Sequence, residues 1–179
     1  VKLAKDKGVE LAVVAPDDPL AAGMVDAFET EGIRAFGPNK AAAVIEASKV
    51  FSKDLMRRYD IPTAKYETFN DHDKAVEYIK ENNTYPIVVK ADGLALGKGV
   101  IIAYNFEEAQ NALKTIMTDK AFGDSGNNVV VEEFLTGHEA SVLAFTDGDT
   151  IVPMVSAMDH KQIFDGDKGP NTGGMGTVS

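Results

Sequence analysis

Two lysines and three glycines lie close together between two runs of apolar, β-branched residues, at 87–89 and 100–104. These five residues are Lys90, Gly93, Gly97, Lys98 and Gly99. Val and Ile favour a pleated surface, so the pattern predicts two strands joined by a flexible loop. Glycine lets a backbone approach a ligand closely, and lysine supplies a point positive charge. We therefore predict a loop that closes over phosphates; an ordinary glycine-containing hairpin with solvated lysines is the alternative.

This loop differs from the phosphate loop of P-loop enzymes. That loop needs Gly-x-x-x-x-Gly-Lys followed by Ser or Thr, whose hydroxyl binds magnesium. Here the spacing between the glycines is one residue too short, and Gly99 follows Lys98. The sequence therefore predicts a different kind of phosphate site.

A second candidate group ends the apolar run at 129–131. Glu132 and Glu133 stand at the predicted strand end, and Glu139 follows shortly after. A strand end that becomes a linker can offer backbone groups to a purine edge and a carboxylate to ribose hydroxyls. A solvated strand end is the alternative for the glutamate pair, and Glu139 also fits an outward-facing strand position.

A third candidate group lies near the end of the sequence. Asp159, His160 and Lys161 are consecutive, and residues 169–176 read Gly-Pro-Asn-Thr-Gly-Gly-Met-Gly. An acid, an imidazole and an ammonium in sequence can bind the carboxylate and amine of an amino acid. Consecutive glycines expose backbone N–H groups that can form an anion-binding concavity. A surface histidine and a flexible tail are the alternatives, and we interpret His72 and His138 as structural.

Composition narrows the classes of function. The chain has 179 residues, of which 44% are hydrophobic and 26% charged, as expected of one or two small globular domains. Its net charge of −10 argues against a nucleic-acid partner. No apolar run approaches the ~20 residues of a membrane span, so we expect no membrane partner. The absence of cysteine excludes disulfides and thiol catalysis, and we expect a cytoplasmic location.

The first part of the chain is predicted to be α/β. We expect a buried parallel strand at 11–15, a helix at 20–31, a strand at 33–36 and helical structure at 40–59. The strand–helix–strand order is that of a βαβ unit. Ser48 and Lys49 mark a predicted break between two helices, and the connector at 60–63 marks a predicted subdomain boundary.

The rest of the chain is predicted to be α+β. Between 63 and 134 we expect strands at 65–69, 87–90, 100–104 and 129–134, with helices at 71–80 and 106–117. Asn105 and Glu108 resemble a capping box for the second of these helices. Asp147-Gly148 predicts a tight hairpin between strands at 140–146 and 151–155. Residues 157–179 are expected to have little regular structure.

Several of these motifs occur in the order found in ATP-grasp enzymes. They are Ser48-Lys49, residues 88–93, Gly97-Lys98-Gly99, residues 132–135 and residues 139–141. Asp159-His160-Lys161 followed by the 169–176 motif more specifically resembles the phosphoribosylamine–glycine ligase family, also called the glycinamide ribonucleotide synthetases. The resemblance extends from about residue 13 to the end.

The resemblance implies an ATP-grasp fold that is only partly present. Residues 1–62 would be an incomplete N-terminal α/β domain with linker helices, and residues 63–134 the lid subdomain. Residues 135–179 would begin the ATP-grasp base and carry a substrate loop. The chain would then be an inactive fragment that lacks both ends of a longer ligase.

The resemblance also implies a reaction and a set of residue roles. The reaction is ATP-dependent ligation of glycine to 5-phosphoribosylamine, in purine biosynthesis. The residues implied in catalysis are Lys90, Asp159, His160 and Lys161. The residues implied in ATP binding are Lys49, Lys90, Gly93, Gly97, Lys98, Gly99, Glu132, Glu133, Phe134, Leu135 and Glu139. The residues implied in binding glycine and phosphoribosylamine are Asp159, His160, Lys161, Asn171, Thr172, Gly173, Gly174, Met175 and Gly176.

Three departures from the family pattern qualify the resemblance. Gln162 stands where the family usually has arginine, and Asp17 stands where it commonly has glutamate. The glycine-rich loop that opens the family's N-terminal domain is absent, and the Mg²⁺ or Mn²⁺ ligands are expected downstream of residue 179. Another ATP-grasp carboxylate–amine ligase and a non-catalytic nucleotide-binding module are the alternative functions.

Overall fold

The computed structural model describes residues 1–95, 99–166 and 168–179. The chain divides into two compact units, residues 1–134 and residues 135–179. Each unit contains its own paired strands.

The first unit begins with two parallel strands and three short helices. These elements are α1 (Lys2–Asp6), β1 (Leu11–Val13), α2 (Asp17–Ala22), α3 (Met24–Thr30) and β2 (Arg34–Phe36). The parallel pairing of β1 with β2 agrees with the predicted βαβ unit. The prediction of one helix over 20–31 is wrong, because Gly23 adopts a φ of 92° and separates α2 from α3.

The expected burial of β1 is also wrong. Leu11 is 53% exposed and Val13 is 65% exposed. Within the described part of the chain, this sheet consists of β1 and β2 alone, so the side chains of β1 have few neighbours to cover them. Val14, which follows the strand, is buried instead, and its N–H donates to the carbonyl of Phe36 at 3.0 Å.

Two helices confirm the predicted break near Ser48. Helix α4 spans Lys40–Ala47 and helix α5 spans Lys49–Arg58. Ser48 lies between them in an extended conformation, and its Oγ accepts a hydrogen bond from Phe51 N at 3.0 Å. Such a cap satisfies a first-turn N–H that has no partner within the helix. Lys49 is consequently the first residue of α5.

A four-stranded antiparallel sheet forms the centre of the first unit. Its strands are β3 (Tyr66–Phe69), β4 (Ile87–Ala91), β5 (Val100–Ala103) and β6 (Val129–Glu133), in the order β3-β6-β4-β5. All four match the predicted strands closely. Strand β4 leads into the glycine loop and pairs with β5 along one edge and with β6 along the other, so both of its edges are hydrogen-bonded.

Two capped helices pack on one face of this sheet. Helix α6 spans His72–Asn82, and α7 spans Phe106–Leu113 and continues as a π-helical turn to Thr118. Asp71 caps α6 through Lys74 N at 3.0 Å, and Asn105 caps α7 through Glu108 N at 2.9 Å. The fully buried large side chains are Ile79, Val89, Leu113, Ile116, Val129, Val130 and Val131. Within the described residues, no helix is long and apolar enough to cross a membrane.

The second unit consists of two antiparallel strand pairs. Its strands are β7 (Ala144–Thr146), β8 (Ile151–Pro153), β9 (Met158–Phe164) and β10 (Lys168–Val178). The β7–β8 pair confirms the predicted hairpin, with residues 147–150 as its connection. Asp147 Oδ1 accepts hydrogen bonds from Asp149 N at 3.1 Å and Thr150 N at 2.8 Å, which orders the turn.

The expectation that residues 157–179 lack regular structure is wrong. Strands β9 and β10 pair antiparallel, from Phe164 opposite Lys168 to Met158 opposite Val178. Glycine disfavours strands because it has no side chain to pack and because it loses more conformational entropy on folding than other residues. Its backbone N–H and C=O groups nevertheless pair like those of any residue. The register is irregular between 168 and 176, where the glycines are concentrated.

Candidate active site

Alternation along β4 and β6 gives the four-stranded sheet two chemically different faces. The helix side is apolar and contains Ile87, Val89, Ala91, Val129 and Val131. Because successive side chains in a strand point to opposite faces, Lys90 and Glu132 lie on the other face. Lys90 stands opposite Val130 and Glu132 opposite Val88, which makes the two charged residues diagonal neighbours.

Glu132 is a buried carboxylate that two lysines neutralise. It is 6% exposed, its Oε1 is ion-paired with Lys90 Nζ, and its Oε2 lies 2.6 Å from Lys53 Nζ. Burying a charge is costly unless it is paired, and these two ammonium groups supply the pairing. The predicted role of Glu132 at the adenine stays a prediction, and the structure adds its contact with Lys90.

Sequence reasoning missed Lys53. Its side chain is 11% exposed. Besides the ion pair with Glu132, Nζ donates a hydrogen bond to Thr63 Oγ1 at 2.7 Å and lies 5.2 Å from the centre of the Tyr66 ring. A signal for it was present, because Lys49, Lys53 and Arg57 recur every four residues and therefore share one side of α5. That basic side of the helix faces the same side of the sheet as Glu132.

Lys49 lies at the start of α5, beside the entrance to the glycine loop. Its Nζ donates to the carbonyl of Gly93 at 2.7 Å, and its N–H donates to the carbonyl of Asp92 at 3.0 Å. Burial lowers the pKa of Lys49, and the carboxylate of Asp92 opposes this shift. The positive charge of Lys90 also lowers the pKa of Lys49, so the two predicted phosphate-binding lysines interact electrostatically.

Asp92 holds this arrangement together, and sequence reasoning assigned it no role. Its Oδ1 accepts hydrogen bonds from Ser48 Oγ at 2.8 Å and Val50 N at 2.9 Å, and its Oδ2 accepts one from Asn128 Nδ2 at 3.3 Å. Its own N–H donates to Ser125 O at 2.9 Å. Asp92 therefore ties the first turn of α5 to the end of β4. Its position two residues after Lys90 was the available signal.

The two described glycines at the ends of the loop lie against the protein itself. A Cβ at Gly93 would overlap the side chain of Ser125, and one at Gly99 would lie 3.0 Å from Ala91 Cβ. The carbonyl of Gly99 accepts a hydrogen bond from Ala91 N at 2.8 Å. This packing explains both glycines without a ligand, and their contact with phosphate stays a prediction. The predicted phosphate-binding residues Gly97 and Lys98 lie outside the described residues.

The strand end at 132–135 is partly engaged by neighbouring backbone. Glu133 Oε1 accepts a hydrogen bond from Lys65 N, and Glu133 N donates to Lys65 O, both at 2.9 Å. A cavity of about 290 Å³ lies beside Glu132 and Glu133, and Lys65, Tyr78 and Asn82 also line it. Phe134 is half-buried at the end of the first unit. In the second unit, Leu135 is 65% exposed.

The second unit brings Glu139, Lys161 and Thr172 together. Lys161 Nζ lies 2.7 Å from Glu139 Oε1, and Thr172 Oγ1 donates to the carbonyl of Lys161 at 2.9 Å. Thr172 Oγ1 in turn accepts a hydrogen bond from Gly174 N at 3.1 Å. Glu139, which is predicted to bind ATP, thus lies beside Lys161 and near Thr172, which are predicted to bind glycine or phosphoribosylamine. Both charged side chains are about half exposed.

The remaining predicted substrate residues lie along β9 and β10. Asp159 stands opposite Thr177 and His160 opposite Gly176. A Cβ at Gly174, whose φ is 127°, would lie 3.2 Å from Asp159 Oδ1, so glycine allows these strands to approach there. Gly173 and Met175 are exposed, and the backbone of Asn171 pairs with Gln162. The roles of these residues remain predictions.

A metal site is not provided by the residues at 1–95, 99–166 and 168–179. Among them, no group of three or more His, Asp or Glu side chains is arranged to hold an ion. The candidate site in the first unit is instead rich in lysine, which suits an anionic ligand such as phosphate.

Two family models match the chain along its whole length. The N domain of phosphoribosylglycinamide synthetase matches residues 1–46, and the ATP-grasp (A) domain of the same family matches residues 47–179. Proteins named phosphoribosylamine–glycine ligase from Streptococcus pyogenes serotype M1 and Vibrio vulnificus YJ016 are 56% and 51% identical over all 179 residues. The chain spans 42% of the length of each of these relatives.

Solved structures agree with the predicted fold. The phosphoribosylamine–glycine ligase of Thermotoga maritima has a TM-score of 0.79 and 37% identity, covering 92% of this chain and 40% of that one. The biotin carboxylase domain of Hydrogenobacter thermophilus 2-oxoglutarate carboxylase, solved with MgADP and bicarbonate, has a TM-score of 0.73 at 20% identity. It covers 90% of this chain and 36% of that one, and at this identity it bears on the fold alone. The prediction of a partial ATP-grasp fold and the predicted family resemblance are confirmed.

Proposed function

This chain belongs to the phosphoribosylglycinamide synthetase family, and we propose that the protein containing it ligates glycine to 5-phosphoribosylamine. The products are glycinamide ribonucleotide, ADP and phosphate, so the protein is an ATP-dependent carboxylate–amine ligase of purine biosynthesis. Because the chain spans 42% of the length of its relatives, the reaction is proposed for the whole protein.

The observation that supports this proposal most strongly is the identity of 56% over the complete chain. Both family models contribute, since the N-domain and A-domain matches adjoin at residues 46 and 47. The lysine-rich side of the four-stranded sheet is consistent with binding of an anionic substrate such as ATP.

The chemistry proceeds in two steps. The glycine carboxylate attacks the γ-phosphate of ATP, which gives glycyl phosphate and releases ADP. The amine of phosphoribosylamine then attacks the acyl carbon, and phosphate leaves. In such transfers, protein side chains contribute chiefly by positioning the reactants and neutralising charge. We assign that role to Lys49 and Lys90, which would contact the ATP phosphates.

The other predicted residues complete the proposed sites. Gly93, Gly97, Lys98 and Gly99 would cover the phosphates, residues 132–135 would hold adenine, and Glu139 would contact the ribose or a neighbouring group. Residues 159–161 and 171–176 would line the site for glycine and phosphoribosylamine. The ion pair between Glu139 and Lys161 is exposed enough for either partner to exchange it for a ligand.

The divalent ion implied by the family does not fit the described residues, which offer no group of three acidic or histidine ligands. We propose that Mg²⁺ or Mn²⁺ is bound by residues beyond this chain. We further propose that the protein works in the cytoplasm on small-molecule substrates, without a nucleic-acid or membrane partner.

A substrate-dependence assay with the complete protein tests the proposal. ADP should form only when glycine and 5-phosphoribosylamine are both present, and Lys90→Met should lower kcat by roughly 100-fold through loss of charge stabilisation. Lys114→Met is a matched control, because it removes one positive charge from an exposed ion pair with Asp119.

The same assay separates the alternative functions. ADP formation with a different carboxylate and amine would identify another ATP-grasp ligase and contradict the assignment to glycine. ATP binding without ADP formation on any substrate pair would indicate a nucleotide-binding module instead.

A further inference from the structure

Glu132 and its two lysines form a buried cluster with one more positive than negative charge. Of the described residues, Glu132 is the most deeply buried charged residue, at 6% exposure. Its two carboxylate oxygens face different lysines, Lys90 at Oε1 and Lys53 at Oε2. If either lysine leaves, the carboxylate keeps one counter-charge. The cluster can therefore release one lysine without leaving a bare buried charge, which would be costly.

The two lysines differ in how firmly the protein holds them. The Lys53 side chain is 11% exposed and that of Lys90 is 27% exposed. Lys53 is also held by Thr63 Oγ1 at 2.7 Å, and its ammonium lies 5.2 Å from the centre of the Tyr66 ring. Tyr66 is the cross-strand neighbour of Glu132, so all of these groups lie on one side of the sheet. Lys90 is therefore the lysine better placed to leave.

We propose that Lys53 is a positioning residue for the nucleotide site, which keeps Glu132 neutralised and so frees Lys90 to turn to a nucleotide phosphate. The inference rests on the proposed function, because it takes the ligand of Lys90 to be ATP. Lys53 itself touches no substrate. Without it, Glu132 would have Lys90 as its counter-charge and would hold that lysine more tightly.

Lysine labelling tests the ion-pair part of the inference without nucleotide. The complete protein is treated briefly with an amine-acetylating reagent, and the modification of each lysine in this chain is measured by mass spectrometry. In Lys53→Met, labelling of Lys90 should fall several-fold, while labelling of Lys114 should not change, because Lys114 pairs with Asp119 on the surface. The control Lys114→Met should leave labelling of Lys90 unchanged. Unchanged labelling of Lys90 in Lys53→Met would overturn the inference.

Nucleotide binding tests the second part, in the complete protein. Lys53→Met should raise the Kd for MgATP roughly ten-fold, the effect of weakening one hydrogen bond to a charged group. Lys53→Arg, which keeps the charge, should bind within a few-fold of the unsubstituted protein. An arginine variant as weak as the methionine variant would contradict a role based on charge.

A measurement on the unsubstituted protein guards against misfolding of the variants. On addition of MgATP, labelling of Lys90 should change while Lys53 stays protected at its low level. Labelling of Lys53 that rises with MgATP would overturn the inference. If Lys53→Met lowers labelling of Lys90 but the unsubstituted protein binds no ATP, the ATP assignment fails while the ion-pair result stands.

Discussion

The sheets of the two units hold their charged residues in different ways. In the first unit, Val89, Val129 and Val130 are fully buried, and Lys90 pairs with a carboxylate that is 6% exposed. In the second unit, Ile163 and Phe164 of β9 are 44% and 64% exposed. Packing thus fixes the candidate phosphate lysines, whereas backbone pairing and exposed contacts place the candidate substrate residues.

The largest expected effect comes from comparing a buried leucine in the first unit with an exposed leucine in the second. Leu113, the last residue of α7, is fully buried in the core beside the sheet, whereas Leu143 in the second unit is 59% exposed. Leu113→Ala should lower the free energy of unfolding of the first unit by about 3 kcal/mol, because it removes buried methyl groups and leaves a cavity. Urea unfolding followed by tyrosine fluorescence measures this, since all five tyrosines lie between residues 59 and 104.

Leu143→Ala is the matched substitution in the second unit. It should change amide hydrogen exchange in β7 and β8 very little, because an exposed side chain loses little buried area. Strong acceleration of exchange in these strands would show that the second unit has a core around Leu143, and the comparison between the units would fail.

Two aspartates that organise backbone offer a second test. Asp92 joins α5 to β4 and to Asn128 by hydrogen bonds, whereas Asp147 orders an exposed hairpin turn. Asp92→Ala should cost about 2 kcal/mol in urea unfolding, since it leaves half-buried donors without their acceptor. Asp147→Ala should have a smaller effect, because water can replace the lost acceptor.

A variant of the same shape sharpens this prediction. Asp92→Asn keeps an Oδ1 acceptor for Ser48 Oγ and Val50 N, and the Asn128 amide can turn so that its oxygen accepts from the new Nδ2 group. Asp92→Asn should therefore lose much less stability than Asp92→Ala. Equal losses in the two variants would contradict the stabilising role assigned to these hydrogen bonds.

Sequence reasoning succeeded where side-chain burial sets the pattern. The strands containing Val89 and Val131 and the helix cap at Asn105 follow from apolar runs and capping chemistry, and the structure confirms all of them. It failed at β10, where glycines carry no side-chain signal and backbone groups make most of the pairing. It also missed Asp92 and Lys53, because their partners lie far away along the chain.

Helix capping provides a smaller effect within the first unit. Asn105 Oδ1 accepts a hydrogen bond from Glu108 N, and Glu108 Oε2 accepts one from Tyr104 N at 2.8 Å. Asn105→Ala should lower the free energy of unfolding by about 1 kcal/mol, the usual cost of losing an N-cap. Asn105→Asp keeps the acceptor and should retain most of that stability in the same urea titration. A loss as large as that of Leu113→Ala would mean that the cap also supports the core.

The smallest expected effect concerns the exposed ion pair of the second unit. Glu139 and Lys161 are each about half exposed, so water and salt screen their attraction. A double-mutant cycle with Glu139→Gln and Lys161→Met, followed by hydrogen exchange of β9, should give a coupling below about 1 kcal/mol that weakens further in high salt. A larger, salt-insensitive coupling would mean that this pair is as protected as that of Lys90 and Glu132. A weak coupling would leave Lys161 free to exchange Glu139 for a substrate at little cost, whereas Lys90 needs a second lysine to be released.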